Sequence, residues 1–290
     1  MRLLRATTPA AMRRLSHKLK ARGQRLGFVP TMGALHEGHL SLIRQAAREA
    51  DRVVVSIFVN PLQFGPQEDL AHYPRDLARD LERLAGEPVD AAYLPGAEVL
   101  YPDGFAARVT VAGLEAVLEG AQRPGHFAGV CTVVLKLLHA VAPDTLWLGQ
   151  KDAQQCVVLE RLVRDLDLPV KVRRGATVRE SDGLAMSSRN AYLSAEERAQ
   201  APVLHQALAR LAAAARAGER DAAALRQLAV RHIAGAPLAR LESLDIVDAR
   251  TLAPLERVAG EVLALVACRF GGARLIDNVQ FRILRREGER

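Results

Sequence analysis

The chain reads as an α/β protein in which a parallel sheet carries helices on both faces and a smaller C-terminal α+β domain carries an antiparallel sheet. Three observations predict this. From Leu26 to about residue 176, short apolar runs alternate with stretches of helical period. After Val178 the order changes, with helices first and strand-like runs later. The length, 290 residues, suits one large domain or two ordinary ones.

Each element follows from its pattern. The N-terminus is rich in arginine and has no acidic residue before Glu37, which is a feature of transit peptides. Pro9 to Ala21, however, sets Met12, Leu15 and Leu19 on one helical face, and a strand follows almost at once. This segment therefore reads as the first helix of the fold. Strands are expected at Leu26–Val29, Val53–Asn60, Ala91–Leu94, Thr145–Leu148 and Val170–Val172. Helices are expected at Leu40–Ala50, Leu77–Leu84, Val130–Val141 and Ala153–Asp165. Ser194-Ala-Glu-Glu197 is a capping box, with Pro202 expected to kink its helix in the second turn. Gly218 punctuates and a second helix opens near Asp221. Strands are then expected at Leu244–Val247, Val262–Cys268 and Ala273–Asn278, with a turn at Gly271-Gly272.

Composition excludes several classes. Hydrophobic residues are 49% and charged residues 25%, as in ordinary globular proteins, which argues against disorder, collagen and coiled coil. No apolar run reaches the roughly 18 residues of a membrane span. The net charge of +7 raises the question of a nucleic-acid partner. The arginines are spread along the chain, and aromatics at 4% leave little to stack on bases, so none is expected. Three scattered cysteines suit neither a disulfide framework nor a thiolate zinc site and point to a reducing cytoplasm.

Four segments carry chemistry. Phe28-Val-Pro-Thr-Met-Gly-Ala-Leu-His-Glu-Gly-His-Leu40 runs from strand through a glycine turn into a helix start, the place where open parallel sheets bind ligands. His36 and His39 are three apart and share a face, and the unpaired N–H groups of that helix start suit a phosphate chain. A zinc helix would space its histidines by four and add a third ligand, so no metal site is expected. Gly149-Gln-Lys-Asp-Ala-Gln-Gln155 repeats the strand-to-helix arrangement. Lys151 is one of only five lysines, and a compact ammonium suits mobile phosphate oxygens. Asp152 is placed to accept from ribose hydroxyls. Ser187, Ser188 and Arg189 set two hydroxyls beside a fixed cation, as a loop closing on phosphates needs. Asn60-Pro-Leu-Gln-Phe-Gly65 offers the neutral amides of Asn60 and Gln63 to a small hydroxy acid. Arg123-Pro-Gly-His-Phe-Ala-Gly-Val130 is a glycine-bounded loop suited to wall an apolar pocket. Asp76 and Asp80 share a helical face and read as surface carboxylates, with a cation site as the alternative.

These segments together resemble the pantoate–β-alanine ligases, within the wider nucleotidyltransferase superfamily. The resemblance also takes in Phe58–Phe64, Tyr73–Arg75 and Ala185–Asn190 and covers most of the chain. It implies a Rossmann-like nucleotide- and pantoate-binding domain over 1–177 and a smaller C-terminal lid domain over 178–290. It implies an ATP-dependent condensation of (R)-pantoate with β-alanine to pantothenate, AMP and pyrophosphate, through a pantoyl adenylate. By the same resemblance, Met32, Gly33, Ala34, Leu35, His36, Glu37, Gly38 and His39 line the ATP site, with His39 as proton donor. Gly149, Gln150, Lys151 and Asp152 hold the nucleotide and Val178 touches adenine. Met186, Ser187, Ser188 and Arg189 close over the phosphates, and Gln63 and Gln155 bind pantoate. Magnesium arrives with ATP, and the assembly implied is a homodimer. The superfamily's second signature is usually rich in lysine. Here it has none, which leaves Arg189 and Lys151 to supply the charge.

Overall fold

The computed structural model describes residues 3–66 and 68–284. They divide into two compact units. The first takes in the chain up to Gln150 together with Gln154–Ala176, and the second takes in Lys151–Ala153 and the chain from Thr177 onward.

The first unit alternates strand and helix: β1 (Leu4–Ala6), α1 (Pro9–Leu19), β2 (Leu26–Thr31), α2 (Glu37–Glu49), β3 (Arg52–Ile57), α3 (Leu77–Ala85) and β4 (Ala91–Tyr93). It continues through α4 (Ala97–Leu100), α5 (Glu119–Gln122), α6 (His126–Val141), β5 (Thr145–Gly149), α7 (Ala153–Asp165) and β6 (Lys171–Gly175). All six strands are parallel, in the order β1-β4-β3-β2-β5-β6. Val29, Val53 and Val55 pack against Leu42, Ile43 and Ala46 of α2 and Leu84 of α3. Phe28 and Val54 alternate with them, point to the opposite face and are equally buried. On α1, Thr8 caps the first turn by accepting from the Ala11 N–H at 3.2 Å, and Pro9 stands where its missing N–H costs nothing.

The strand order positions the site. The chain steps from β2 outward to β3 and β4, then returns to lay β5 on the other side of β2. Such a switch point leaves a crevice outside the carboxyl ends of the two strands, here β2 and β5, which end in the two motifs singled out above.

The second unit contains α8 (Ala195–Gln200), α9 (Val203–Ala217), α10 (Ala222–Ile233), β7 (Arg240–Asp248), β8 (Gly260–Phe270) and β9 (Ala273–Ile283). Its strands form an antiparallel sheet in the order β7-β8-β9. Leu204, Leu208 and Leu211 of α9 and Leu225 of α10 share one core with Val262, Val266, Phe270 and Phe281 of the sheet.

Several elements differ from expectation. The edge strand β1 is three residues long with an arginine at its centre, too short for a periodic signal. α2 begins at Glu37 because a histidine serves as its cap, and α6 begins at His126, after Gly125 turns in the left-handed region at φ +82°. Pro202 does not kink one helix. It ends α8, and its carbonyl accepts from the Gln206 N–H as α9 begins. The capping box of Ser194 and Glu197 therefore opens only the six residues of α8.

Candidate active site

The loop leaving β2 is held at almost every amide. Thr31 Oγ1 donates to the Ser56 carbonyl at 2.7 Å and accepts from the Gly33 N–H at 3.2 Å. Gly33 and Ala34 both take left-handed conformations, at φ +84° and +48°. The next two N–H groups, of Ala34 and Leu35, donate to the two oxygens of Asp80 at 2.9 and 2.8 Å. Asp80 is thus a buried loop anchor, 4% exposed, and not the surface carboxylate expected from the sequence. The expectation for Asp76 holds. It is exposed and caps α3 by accepting from the Arg79 N–H at 3.0 Å.

His36 and His39 close a capping box at the start of α2. The Gly38 N–H donates to His36 Nδ1 at 3.1 Å, and the His36 N–H donates to His39 Nδ1 at 3.3 Å. A backbone N–H only donates, so both Nδ1 atoms are acceptors. The proton of each neutral ring therefore sits on Nε2. The rings lie 4.1 Å apart, centroid to centroid. The His39 and Leu40 N–H groups both reach the His36 carbonyl. Most of the amides expected to be unpaired for phosphate are therefore engaged. Gly33, Ala34, Leu35, His36, Gly38 and His39 all donate within the loop or to Asp80. The helix start thus keeps its dipole and the Nε2–H groups of the two rings on the side toward an anion, while most of its amides serve the loop.

A second shelf lies at the end of β3. Asn60 is buried, and its Nδ2 donates to Gln63 Oε1 and to the Gly129 carbonyl, each at 3.1 Å. Its Oδ1 accepts from the Tyr101 hydroxyl at 2.8 Å and the Leu62 N–H at 3.3 Å. With Oε1 engaged, Gln63 presents its amide nitrogen, which lies 3.1 Å from Met32 Sδ. Gly129 of α6 has no room for a side chain, since a β-carbon there would stand 2.2 Å from the Leu62 carbonyl oxygen. The Gln63 carbonyl receives His126 Nδ1 at 2.8 Å, while Arg123 donates to His126 Nε2 at 3.1 Å. Arg123 is itself held by Glu68 and Glu119. Burial, aided by the Arg123 charge, pushes the His126 pKa below its ordinary value, so the ring is neutral near pH 7.

At the end of β5, Arg174 spans Glu160 and the side chain of Gln150, and the Cys156 thiol donates to the Gly149 carbonyl at 3.4 Å. Gln155 is half-buried. Its neighbour Gln154 is fully buried, accepting from the Glu119 N–H and donating to the Leu114 and Val117 carbonyls.

In the second unit, Lys151 lies 3.6 Å from Asp152, and its carbonyl accepts from Asn278 Nδ2 at 2.9 Å. Val178 and Met186 are paired across a short hairpin, with the Met186 N–H donating to the Val178 carbonyl at 3.0 Å. Gly183 makes its turn at φ +95°. Arg179 braces the hairpin with a bidentate pair to Asp277 at 2.7 and 3.0 Å and a third bond to the Gly183 carbonyl. Ser187 accepts from the Arg189 N–H at 3.3 Å and opens a 3-10 turn over Ser188–Tyr192. A small cleft is lined by Lys151, Ser187, Asn190 and Asp277, among others.

The structure thus brings together His36 with His39, Gln63 with Met32, and Val178 with Met186. It turns Asp80 from a surface carboxylate into a loop anchor and adds Gln154, Asp277 and Asn278, to which the sequence gives no role. Their signals are weak, because each acts through partners far along the chain. Among the described residues no three His, Cys, Asp or Glu side chains are grouped to hold a metal ion. No described helix is long and apolar enough to cross a membrane.

An open parallel sheet with a histidine pair at the start of the helix that follows its central strand defines an α/β protein of the kind that binds a ligand at the switch point. The comparisons narrow this: the family model for pantoate-beta-alanine ligase matches residues 5–280, and the chain belongs to that family. It is 52% identical over 276 residues to the pantothenate synthetase of Moorella thermoacetica, covering 95% of this chain and 98% of that one. It is 54% identical over 257 residues to that of Heliobacterium modesticaldum, covering 89% and 92%. Among solved structures, pantothenate synthetase from Thermus thermophilus superposes with a TM-score of 0.90 at 47% identity, covering 96% of this chain and 99% of that one. A pantoate-beta-alanine ligase from Francisella tularensis, complexed with beta-gamma ATP and beta-alanine, gives a TM-score of 0.79 at 34% identity, covering 96% and 97%. The expected fold class and enzyme class both hold.

Proposed function

We propose that the chain condenses (R)-pantoate with β-alanine at the expense of ATP, forming pantothenate, AMP and pyrophosphate through a pantoyl adenylate. The observation that carries this reading is the histidine capping box, which fixes two Nε2–H donors at the switch point of the sheet. The ATP and β-alanine bound by the Francisella relative support the same substrates here.

A carboxylate is a poor electrophile because its oxygen leaves badly. In the first step the pantoate carboxylate oxygen attacks the α-phosphorus and pyrophosphate departs with the bonding electrons. In the second, the β-alanine amine attacks the acyl carbon, AMP leaves, and the amine loses a proton. Catalysis then falls mainly to alignment and to neutralising charge on phosphate. His36 and His39 donate to the phosphates, and His39 is the proton donor to the departing pyrophosphate. Lys151 carries charge on the α-phosphate, and Ser187, Ser188 and Arg189 supply further donors. Met32 to His39, with Gly149, Gln150, Asp152, Val178 and Met186, complete the nucleotide contacts. Gln63, aimed by Asn60, and Gln155 hold pantoate. Assigning nucleotide and pantoate to the first unit and a closing role to the second belongs to this reading, as do a homodimer and a cytoplasmic location.

The donor set bears on magnesium. Both Asp80 oxygens accept backbone N–H groups and Asp76 caps a helix, so neither is poised as a ligand. A magnesium ion bound to the ATP phosphates would offset their charge without a protein cage.

The test is pyrophosphate release from MgATP with pantoate alone and with pantoate plus β-alanine. Sustained turnover only with both substrates, and a single burst with pantoate alone, is expected. Absence of release under either condition would overturn the reading.

A further inference from the structure

We infer that Asp80 and Arg83 of α3 form a clamp that positions the nucleotide loop, and that the clamp acts on ATP rather than on pantoate. This rests on the reading of His36 and His39 as phosphate donors.

The two residues are one helical turn apart and grip opposite polarities of the same peptide stretch. Asp80 accepts from the N–H groups of Ala34 and Leu35, and Arg83 donates to the Leu35 carbonyl. The backbone held by the clamp is costly to form. Ala34 sits at φ +48°, a left-handed region that L-residues rarely adopt. At Gly33 a β-carbon would stand 2.8 Å from Asp80 Oδ2, so only glycine admits the carboxylate. A left-handed alanine beside a buried carboxylate persists where the surroundings over-determine it. The residue after Leu35 is His36, whose N–H donates to His39 Nδ1. The clamp therefore sets the entry angle of the capping box and so where both Nε2 donors point. Asp80 and Arg83 grip the main chain of residues 34 and 35, whereas Gln63 is aimed by Asn60 and α6. They are positioning residues, not catalytic ones.

The experiment is steady-state kinetics of pyrophosphate release by the full chain, varying MgATP and pantoate separately. It uses Asp80→Asn, Asp80→Asn with Ala34→Gly, Arg83→Met and His39→Ala. Asp80→Asn is expected to lower kcat/KM for ATP by roughly tenfold to a hundredfold, the scale of a misplaced reacting group. The KM for pantoate should stay within about twofold. Adding Ala34→Gly should recover part of the loss, because glycine takes φ +48° without strain. A role in folding alone would lower the active fraction and leave both KM values unchanged. Arg83→Met, which keeps the carboxylate, should show a smaller loss confined to ATP. If His39→Ala impairs ATP use while folded Asp80→Asn does not, the clamp is overturned and the underlying reading stands. If His39→Ala has no effect, the underlying reading fails instead. Should Asp80→Asn not fold, an Arg83→Met enzyme with unchanged kcat/KM for ATP overturns the clamp.

Discussion

Asp80 in the first unit and Asp277 in the second are both 4% exposed and both have two engaged oxygens, yet they hold different things. Asp80 takes two neutral backbone donors. Asp277 takes the fork of Arg179, a charged partner on a side chain, and beside it the N–H of its own neighbour Asn278. A carboxylate bound to backbone amides fixes a main-chain path and leaves the side chains above it to do chemistry. A carboxylate bound to a guanidinium fixes one element against another and neutralises its own charge. The loop after β2 is thus shaped from behind, whereas the hairpin that pairs Val178 with Met186 is braced across its base.

The strongest way to break the contrast is Asp277→Ala. It strands the Arg179 guanidinium and should cost about 3 kcal/mol, the lower end for breaking a buried pair. Urea unfolding would read this. A loss below about 1 kcal/mol would mean that the pair behaves like a surface ion pair. Gly33→Ala comes next. Its methyl meets Asp80 Oδ2 and forces a left-handed alanine, so a cost of about 2 kcal/mol is expected, with a selective rise in the KM for ATP. An unchanged KM for ATP would separate the carboxylate from the loop's function. The smallest effect concerns His126, which supports Gln63 as a neutral ring. Its pKa is lowered on folding, so the unfolded chain binds more protons. The stability this confers is complete above about pH 6.5 and is lost as pH falls from there toward the lowered value. Unfolding of His126→Gln followed between about pH 7.5 and about pH 5, a window spanning the ordinary histidine pKa, should show a shallower decline. His205 and His232, also shifted down by burial, should keep part of the slope. An identical pH dependence would remove His126 from this account.

Much of the fold is legible in the sequence because burial imposes a period. The valines of β3 and the apolar stretch of α6 announce themselves, and both motifs fall at strand ends. The histidine pair is legible as chemistry but not as a cap, because histidine is outside the usual set of capping residues. Asp80 is not legible at all. Its four-residue spacing from Asp76 suggests an exposed helical face, and only the loop that crosses it from 46 positions away reveals the burial. Gln154 escapes notice for the reason Gln155 attracts it, since the two are identical neighbours and only packing against the 114–119 loop separates them. Asn278 lies in a strand whose apolar alternation draws attention away from its side chain, though that side chain reaches the Lys151 carbonyl.

The placing of β2 between β3 and β5 bears on how the chain is made. Leu26 pairs with Arg52, so one side of β2 closes soon after synthesis. Its other side waits for Thr145, and the edge strand β1 waits for Ala91. From the completion of β3 until β5 is made, the strand that leads into the histidine loop is an open edge, the kind of surface that recruits other chains. The stretch of greatest exposure to misassembly during synthesis is thus the one that leads into the histidines, and it is protected only once β5 has been made.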